Sequence, residues 1–157
     1  MPGLSANREF AFTIMDVARL MRTYADQKAR HFGMTRAQWG VLVRLDRSEG
    51  LKQSELAEIL DLQPITLTRL LDRLSANGLI ERRADPNDRR ANRLYLTPAA
   101  RPLLDRLATL GSDMMETVLE GLPPKSIERI LSELGAVKEN LRRAIGTNVP
   151  QQETASG

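Results

Sequence analysis

The chain of 157 residues contains no cysteine at all. That one absence excludes thiol nucleophiles, disulfides, thiol-based redox sensing and cysteine-ligated zinc. Histidine occurs once, at His31, so neither a histidine-rich metal site nor a Ser-His-Asp triad is readily built. Aromatic residues make up only 4% of the chain, too little for an aromatic β-sandwich core, and helices are the expected framework. There is no phosphate-cradling glycine loop and no nucleophile-base pair, so no catalytic residue, cofactor or metal ligand is assigned and the chain is not read as an enzyme. The opening stretch is interrupted by Arg8, Glu9 and Asp16. It therefore lacks the apolar run of a signal peptide or membrane span, and a cytoplasmic protein with no membrane partner is expected.

What is present is ordinary in amount and informative in position. With 41% hydrophobic and 27% charged residues, the chain has enough material for one compact unit without staples. The net charge is +3, a mild bias whose location matters more than its size. Phe10, Ile14, Val17, Met21 and Tyr24 recur at helical spacing and predict one long first helix over residues 8–31. Thr35-Arg-Ala-Gln38 reads as a capping box opening a second helix, which carries Trp39, Val41, Leu42 and Leu45 and stops at Gly50. A short third helix is expected over about 53–60, with Lys52 where a capping Ser or Thr would be better. A fourth starts at Pro64, carries Leu67, Leu70, Leu71 and Leu74 on one face, and ends at Asn77-Gly78.

Two short helices with a tight connection make a helix-turn-helix. The period then changes. Residues 79–83 and 93–96 read as strands flanking Asp85-Pro86-Asn87-Asp88, a β-hairpin or wing. Thr97-Pro98 looks like the N-cap and first turn of a fifth helix, with Pro102 deep enough to make its start irregular, and Pro123-Pro124 opens a sixth. Ile127, Ile130, Leu131, Leu134, Val137, Leu141 and Ile145 form a near-heptad seam on that helix. The fold expected is mainly α with a small β-wing: a winged helix-turn-helix lobe plus a helical dimerisation region of the first, fifth and sixth helices. The segments are an N-terminal dimerisation helix (1–34), a DNA-binding lobe (35–97), C-terminal dimerisation helices (98–145) and a disordered tail (146–157).

Opposite the leucine face of the fourth helix, Thr66, Arg69 and Arg73 form a polar stripe, with Gln63, Pro64 and Ile65 at its start and Thr68 beside it. Such a stripe suits a major groove: Arg69 to guanine, Gln63 to adenine, Ile65 or the Thr66 methyl to thymine. Arginines of this kind are often only solvated, but the wing adds Arg82, Arg83, Arg89, Arg90 and Arg93 directly after the helix-turn-helix. Arginines on a narrow hairpin suit a minor groove, where the potential is most negative. Asp88, Arg89, Arg90 and Arg93 are therefore the wing candidates, and double-stranded DNA is the expected partner. The long apolar seams outside the lobe call for a second copy. A two-fold dimer in turn requires a pseudo-palindromic site with half-sites about 34 Å apart.

At these residues the chain resembles the multiple antibiotic resistance regulator (MarR) family. Asp88-Arg89-Arg90, then Arg93-Leu94-Tyr95-Leu96-Thr97, matches that family's D-x-R, five residues, Leu-Thr signature, and Glu55-Leu56-Ala57 and the run from Leu74 to Ile80 match as well. The resemblance spans residues 8–145. It implies a triangular dimer with two DNA-binding lobes, a wing shaped by Asp88 and Arg90 with Arg89 or Arg90 reaching the minor groove, and repression relieved by a small aromatic or lipophilic effector. Tyr24, His31 and Trp39, near the junction of the first two helices, are the candidate effector pocket, set against the plainer roles of core packing for Tyr24 and Trp39 and helix capping for His31. Two rival functions stand beside this one. One is a constitutive or architectural DNA-binding protein without an effector; the other is a helical protein-protein interaction module built on the sixth helix.

Overall fold

The computed structural model describes residues 2–146, which divide after Ser112 into two compact units. Of the expected 146–157 tail, only Gly146 lies within the described residues. The elements are α1 (Pro2–His31), α2 (Arg36–Arg47), α3 (Gln53–Ile59), α4 (Pro64–Ala76), β1 (Ile80–Asp85), β2 (Asp88–Leu96), a 3₁₀ turn (Pro98–Ala100), α5 (Arg101–Val118) and α6 (Pro124–Ile145). The architecture is the expected one, mainly helical with a two-stranded wing.

The first unit owes its shape to helix ends that are chemically closed. At the start of α2 the Thr35 hydroxyl accepts from the Gln38 amide and the Gln38 side chain accepts from the Thr35 amide, each at 3.1 Å. At the end of α4, the Gly78 amide donates to Ser75 O at 2.9 Å and the Leu79 amide to Leu74 O at 3.0 Å. Gly78 sits at φ +72°, the left-handed conformation this double closure requires. The end of α3 closes in the same way through Asp61, at φ +52° the only non-glycine residue with positive φ among the described residues.

Between these caps the leucines meet. Val41, Leu42 and Leu45 of α2, Leu56 of α3, and Leu67, Leu71 and Leu74 of α4 are buried, together with Ile80, Leu94 and Leu96 from the strands and Leu104 and Leu107 from α5. Leu67 and Leu71 have no exposed surface, so α4 stands on an apolar base and shows its other face outward. β1 and β2 pair antiparallel from Ile80↔Leu96 to Ala84↔Asn92, with an irregularity before Asp85↔Asp88. Residues 50–52 run along the other edge of β2: the Gly50 amide donates to Leu94 O at 2.8 Å, the Leu94 amide to Leu51 O at 3.0 Å, and Lys52 bridges to Arg93.

Several boundaries differ from expectation. α1 begins at Pro2, ahead of residue 8; the apolar period that reveals the helix in the sequence starts only at Phe10. The strands extend to the tip of the hairpin, leaving a two-residue turn at Pro86-Asn87. Asp85 and Asp88 therefore act as strand ends. Thr97 does not cap the helix after it: its hydroxyl donates to Gly78 O and its amide to Leu79 O, tying β2 to the end of α4. The 3₁₀ turn absorbs the irregularity expected at Pro102, which then falls in the first turn of α5, where a missing amide hydrogen is harmless.

In the second unit, α6 opens at Pro124 and carries no buried residue. Ile130, Leu131, Leu141 and Ile145 of its seam are exposed. The same holds in the first unit for Phe10, Ile14 and Val17 of α1.

Two glycines give opposite expectations. Gly78→Ala has open space for its methyl group but a left-handed backbone, and should lose about 1–2 kcal/mol. Gly40→Ala, in the middle of α2 with its new Cβ at an ordinary 3.6 Å from Leu60 Cδ2, should gain about 0.5–1 kcal/mol. Urea unfolding of the two variants checks both; equal signs would contradict this account of the helix ends.

Candidate nucleic-acid interface

The outward face of α4 begins with Gln63, Pro64, Ile65 and Thr66, all exposed, and continues with Arg69 and Arg73. Ile65 is 61% exposed, a large apolar side chain at a helix start with no protein neighbour to bury it. Thr68 has a different position from its neighbours. Its hydroxyl donates to Pro64 O at 2.9 Å and accepts from Gln53 Nε2 at 2.8 Å, so it braces α3 against α4 and does not face outward.

Charge on this helix is sorted by pairing. Asp72 is the only acid of α4, and it is taken by Arg82 of β1, whose Nη2 lies 2.7 Å from Asp72 Oδ1 and also donates to Thr68 O at 3.2 Å. Arg69 and Arg73 have no carboxylate partner among the described residues. Neutralising Asp72 from behind leaves the exposed stripe cationic.

The wing sorts its arginines in the same way. Arg83 pairs with Glu81 and lies with its guanidinium 4.0 Å from the centre of the Tyr95 ring. Arg93 donates through Nε to Asp85 Oδ2 at 3.1 Å and through Nη1 to Gly50 O at 2.8 Å. It is thus tied to Asp85 and Gly50 within the wing and not presented outward with Arg89 and Arg90. Asp88 accepts from the Arg90 amide at 3.0 Å, which shapes the turn and leaves the side chains of Arg89 and Arg90 exposed and without a carboxylate partner among the described residues. Arg90 and Pro64 line one groove, of about 520 Å³, with Lys52, Gln53, Asp88 and Asn92. The tip of the wing and the start of α4 therefore share a surface. On the far side of α4, Thr66, Arg69 and Arg73 line a shallower depression of about 250 Å³ with Thr35, Ala37 and Gln38. This brings the start of α2, the positive end of that helix, beside the arginine stripe.

Asp85 is the hidden component. It is buried, at 4% exposure, although its sequence context marks it only as a turn former. Its Oδ1 accepts from the Asn87 amide at 2.9 Å, while Oδ2 faces Arg93 Nε at 3.1 Å and Lys52 Nζ at 3.9 Å. Lys52, which makes no side-chain cap for α3, instead supplies a cation to this carboxylate. The Asn87 amide holds the Asp85 pKa below its ordinary 3.8, Arg93 and Lys52 add to that lowering, and burial opposes it. Contacts among Lys52, Asp85 and Arg93 join segments far apart in sequence, and no local pattern announces them.

Tyr24, His31 and Trp39 stand in three different surroundings near the junction of α1 and α2. Trp39 is buried in the core, His31 is exposed in the last turn of α1, and Tyr24 is half-buried with the Lys28 ammonium 5.4 Å from its ring centre. The cavity at that junction is lined by other residues, among them Arg22, Arg36 and Arg44. Among the described residues, no cluster of His, Asp or Glu could hold a metal ion and no helix is long and apolar enough to cross a membrane.

Residues 34–91 match the sequence model of the MarR family. Among solved structures, the transcriptional regulator PA3341 is 31% identical, with 85% of this chain and 98% of that one aligned at a TM-score of 0.77. A MarR-family transcriptional regulator from Silicibacter pomeroyi is 27% identical over 84% of this chain and 89% of its own, at a TM-score of 0.75. A MarR transcriptional regulator from Methanosarcina mazei Go1, 24% identical over 87% of this chain and 99% of that one, shares the fold at a TM-score of 0.76.

The Asp85 cluster sets an acid limit on stability. A carboxylate whose folded pKa is lowered contributes fully above its unfolded value and loses that contribution as pH falls through the folded one. The stability difference between the wild type and Asp85→Asn should thus stay constant from about pH 7 to about pH 5 and shrink below about pH 3.8. Urea midpoints across that range measure it, and a difference unchanged at about pH 2.5 would contradict the assignment.

Proposed function

The chain belongs to the MarR family of transcriptional regulators, and on that premise we propose that it reads a pseudo-palindromic DNA site as a homodimer, acting as a repressor released by a small organic effector. The observation that carries the DNA-reading part is the division among the arginines. Arg82, Arg83 and Arg93 are paired with Asp72, Glu81 and Asp85, whereas Arg69, Arg73, Arg89 and Arg90 stand exposed without a carboxylate on or beside the helix that carries Ile65 and Gln63. A merely solvated surface has no reason to pair Asp72, Glu81 and Asp85 with arginines of the fold and leave these four without a carboxylate.

In this reading α4 enters the major groove. Arg69 offers two parallel N–H donors to guanine O6 and N7, Gln63 addresses adenine, and Ile65 or the Thr66 methyl group meets a thymine methyl. Arg89 and Arg90 follow the adjoining minor groove. The start of α2 meets a backbone phosphate with its positive helix end. Arg93 and Thr68 position the wing and α4 and take no direct part in reading.

The dimer follows from apolar surface that the protomer does not cover. Phe12, Met15 and Leu20 of α1 and Leu131 and Ile145 of α6 are each more than half exposed, and large apolar side chains left to water along a helix favour a partner surface. A functional segmentation into 1–34, 35–97 and 98–145 accords with this: the outer segments join two copies and the central one reads a half-site, with half-sites about 34 Å apart. Repression and release by an effector rest on the family resemblance.

Arg69→Ala should weaken binding to a duplex carrying the site, located first by footprinting the protein's own promoter region, by about 1–3 kcal/mol and relax the preference at one guanine, while Arg90→Ala should weaken binding nearly uniformly across sequences. Fluorescence anisotropy with matched and mismatched duplexes separates the two, and unchanged affinity in both variants would favour an interaction module built on α6. In sedimentation velocity the wild type should run as a dimer and Leu131→Glu as a monomer without specific binding. A monomeric wild type would sink the palindrome.

A further inference from the structure

The first side chains of α4 face different ways. Pro64 lines the groove beside the wing with Arg90 and Asn92, and Thr66 lines the depression it shares with Thr35 and Gln38 at the start of α2. Ile65 stands on the ridge between them, 61% exposed, a branched apolar side chain that the core does not take up. Four residues on, Arg69 is exposed as well, and the two lie about 40° apart round the helix, one turn above the other. Leu67, Leu71 and Leu74 are buried on the opposite side, so Ile65 and Arg69 occupy the outermost line of α4. Side chains on a helix lean toward its N-terminus. The long stem of Arg69 thereby reaches back toward the turn that carries Ile65, bringing paired donors and apolar surface to one place. The nearest acid on the helix, Asp72, is held by Arg82 at 2.7 Å and leaves that fork of donors open.

We infer that Ile65 and Arg69 together read one chemical unit, a 5-methylpyrimidine followed on the same strand by guanine: a TpG step in the half-site, for which 5-methylcytosine followed by guanine is an equivalent. This deepens the DNA-reading proposal above and rests on it. In the major groove guanine shows acceptors at N7 and O6 that match both donors of a guanidinium, and thymine shows its C5 methyl group. Successive bases on one strand are about 3.4 Å apart, within the reach of two side chains whose Cβ atoms are about 5–6 Å apart. One turn of α4 thus covers one base step. The right-handed twist of the duplex sets the C5 methyl of a pyrimidine beside the O6–N7 edge of the guanine that follows it. An arginine on that edge has the methyl against its guanidinium plane, and Ile65 covers the methyl from the other side. Thr66 is turned toward α2, and Thr68 is engaged with Gln53 and Pro64, so neither competes for this methyl. Ile65 has no polar atom with which to tell O4 of thymine from N4 of cytosine; the methyl group is all it reads. A CpG step at this position would accordingly become a better site once its cytosine is methylated.

The test uses the full chain and a duplex carrying the site located by footprinting. Each thymine of one half-site is replaced in turn by deoxyuridine, which removes one methyl group and leaves base pairing intact. Burial of a methyl group changes affinity about fourfold. The wild type should lose about that factor at one thymine, the one immediately 5′ of the guanine whose preference Arg69→Ala relaxes. With a cytosine–guanine pair placed there instead, the 5-methylcytosine duplex should bind about fourfold more tightly than the cytosine duplex. In Ile65→Ala, where the altered side chain is exposed and the core is untouched, both ratios should fall toward unity. Equal affinity for thymine and deoxyuridine throughout the half-site would overturn the inference, as would a methyl effect confined to a thymine elsewhere. Ratios unchanged in Ile65→Ala would overturn it too, because the methyl group would then act through the shape of the duplex. All three results leave a sequence-preferring α4 standing. Binding with no preference for the site over random duplex would overturn that reading and this inference together.

Discussion

A carboxylate removed from water must be met by cations or hydrogen-bond donors, because the desolvation it suffers is otherwise uncompensated. Asp85 imposes that demand where the end of β1, the segment before α3 and the middle of β2 come together. Its two oxygens are met by the Asn87 amide, Arg93 and Lys52, and Arg93 reaches on to Gly50 O. A two-stranded hairpin is marginal on its own. Here it is fastened just below its turn to the chain entering the helix-turn-helix, so that the tip stands in a defined place relative to the start of α4. Without that fastening, Arg89 and Arg90 would sit on a ribbon with no fixed relation to the groove they border.

The same logic runs through the rest of the lobe. Acids near the outward surface of α4 and β1 are met by arginines that serve the fold, Asp72 by Arg82 and Glu81 by Arg83. Arginine is therefore used in two ways in one small region, as an internal clasp and as an open donor, and composition does not distinguish them. What separates them is the presence of a carboxylate within reach, a property of the folded chain. The leucine base of α4 makes the complementary contribution, since burial of Leu67, Leu71 and Leu74 decides which face of the helix is left for a partner.

Local chemistry is readable from sequence and distant pairing is not. The capping box at Thr35, the proline start of α4 and the glycine stop at Gly78 are set by neighbours three to five residues away, and they stand where the pattern puts them. The leucine periods predict the buried faces for the same reason. Lys52 reads as a poor cap because its partner Asp85 is remote in sequence. Arg93 reads as part of the wing's cationic display because its position in the motif carries no sign of Asp85 or Gly50, and Thr68 reads as outward-facing because nothing local reveals Gln53. Trp39, His31 and Tyr24 lie close together along two helices, yet helix rotation sends one inward and another to the surface.

Leaving Arg69, Arg73, Arg89 and Arg90 without carboxylate partners among the described residues makes the ionic composition of the surroundings a participant in binding. Each of them that meets a phosphate displaces a condensed counterion, and affinity for DNA falls with roughly the 0.9 power of salt concentration for every phosphate so neutralised. Were all four engaged, doubling the monovalent salt would weaken a single lobe roughly tenfold, as much as many small effectors achieve. Osmotic stress, which changes the potassium content of a cell, would then alter occupancy of the site before any ligand arrives.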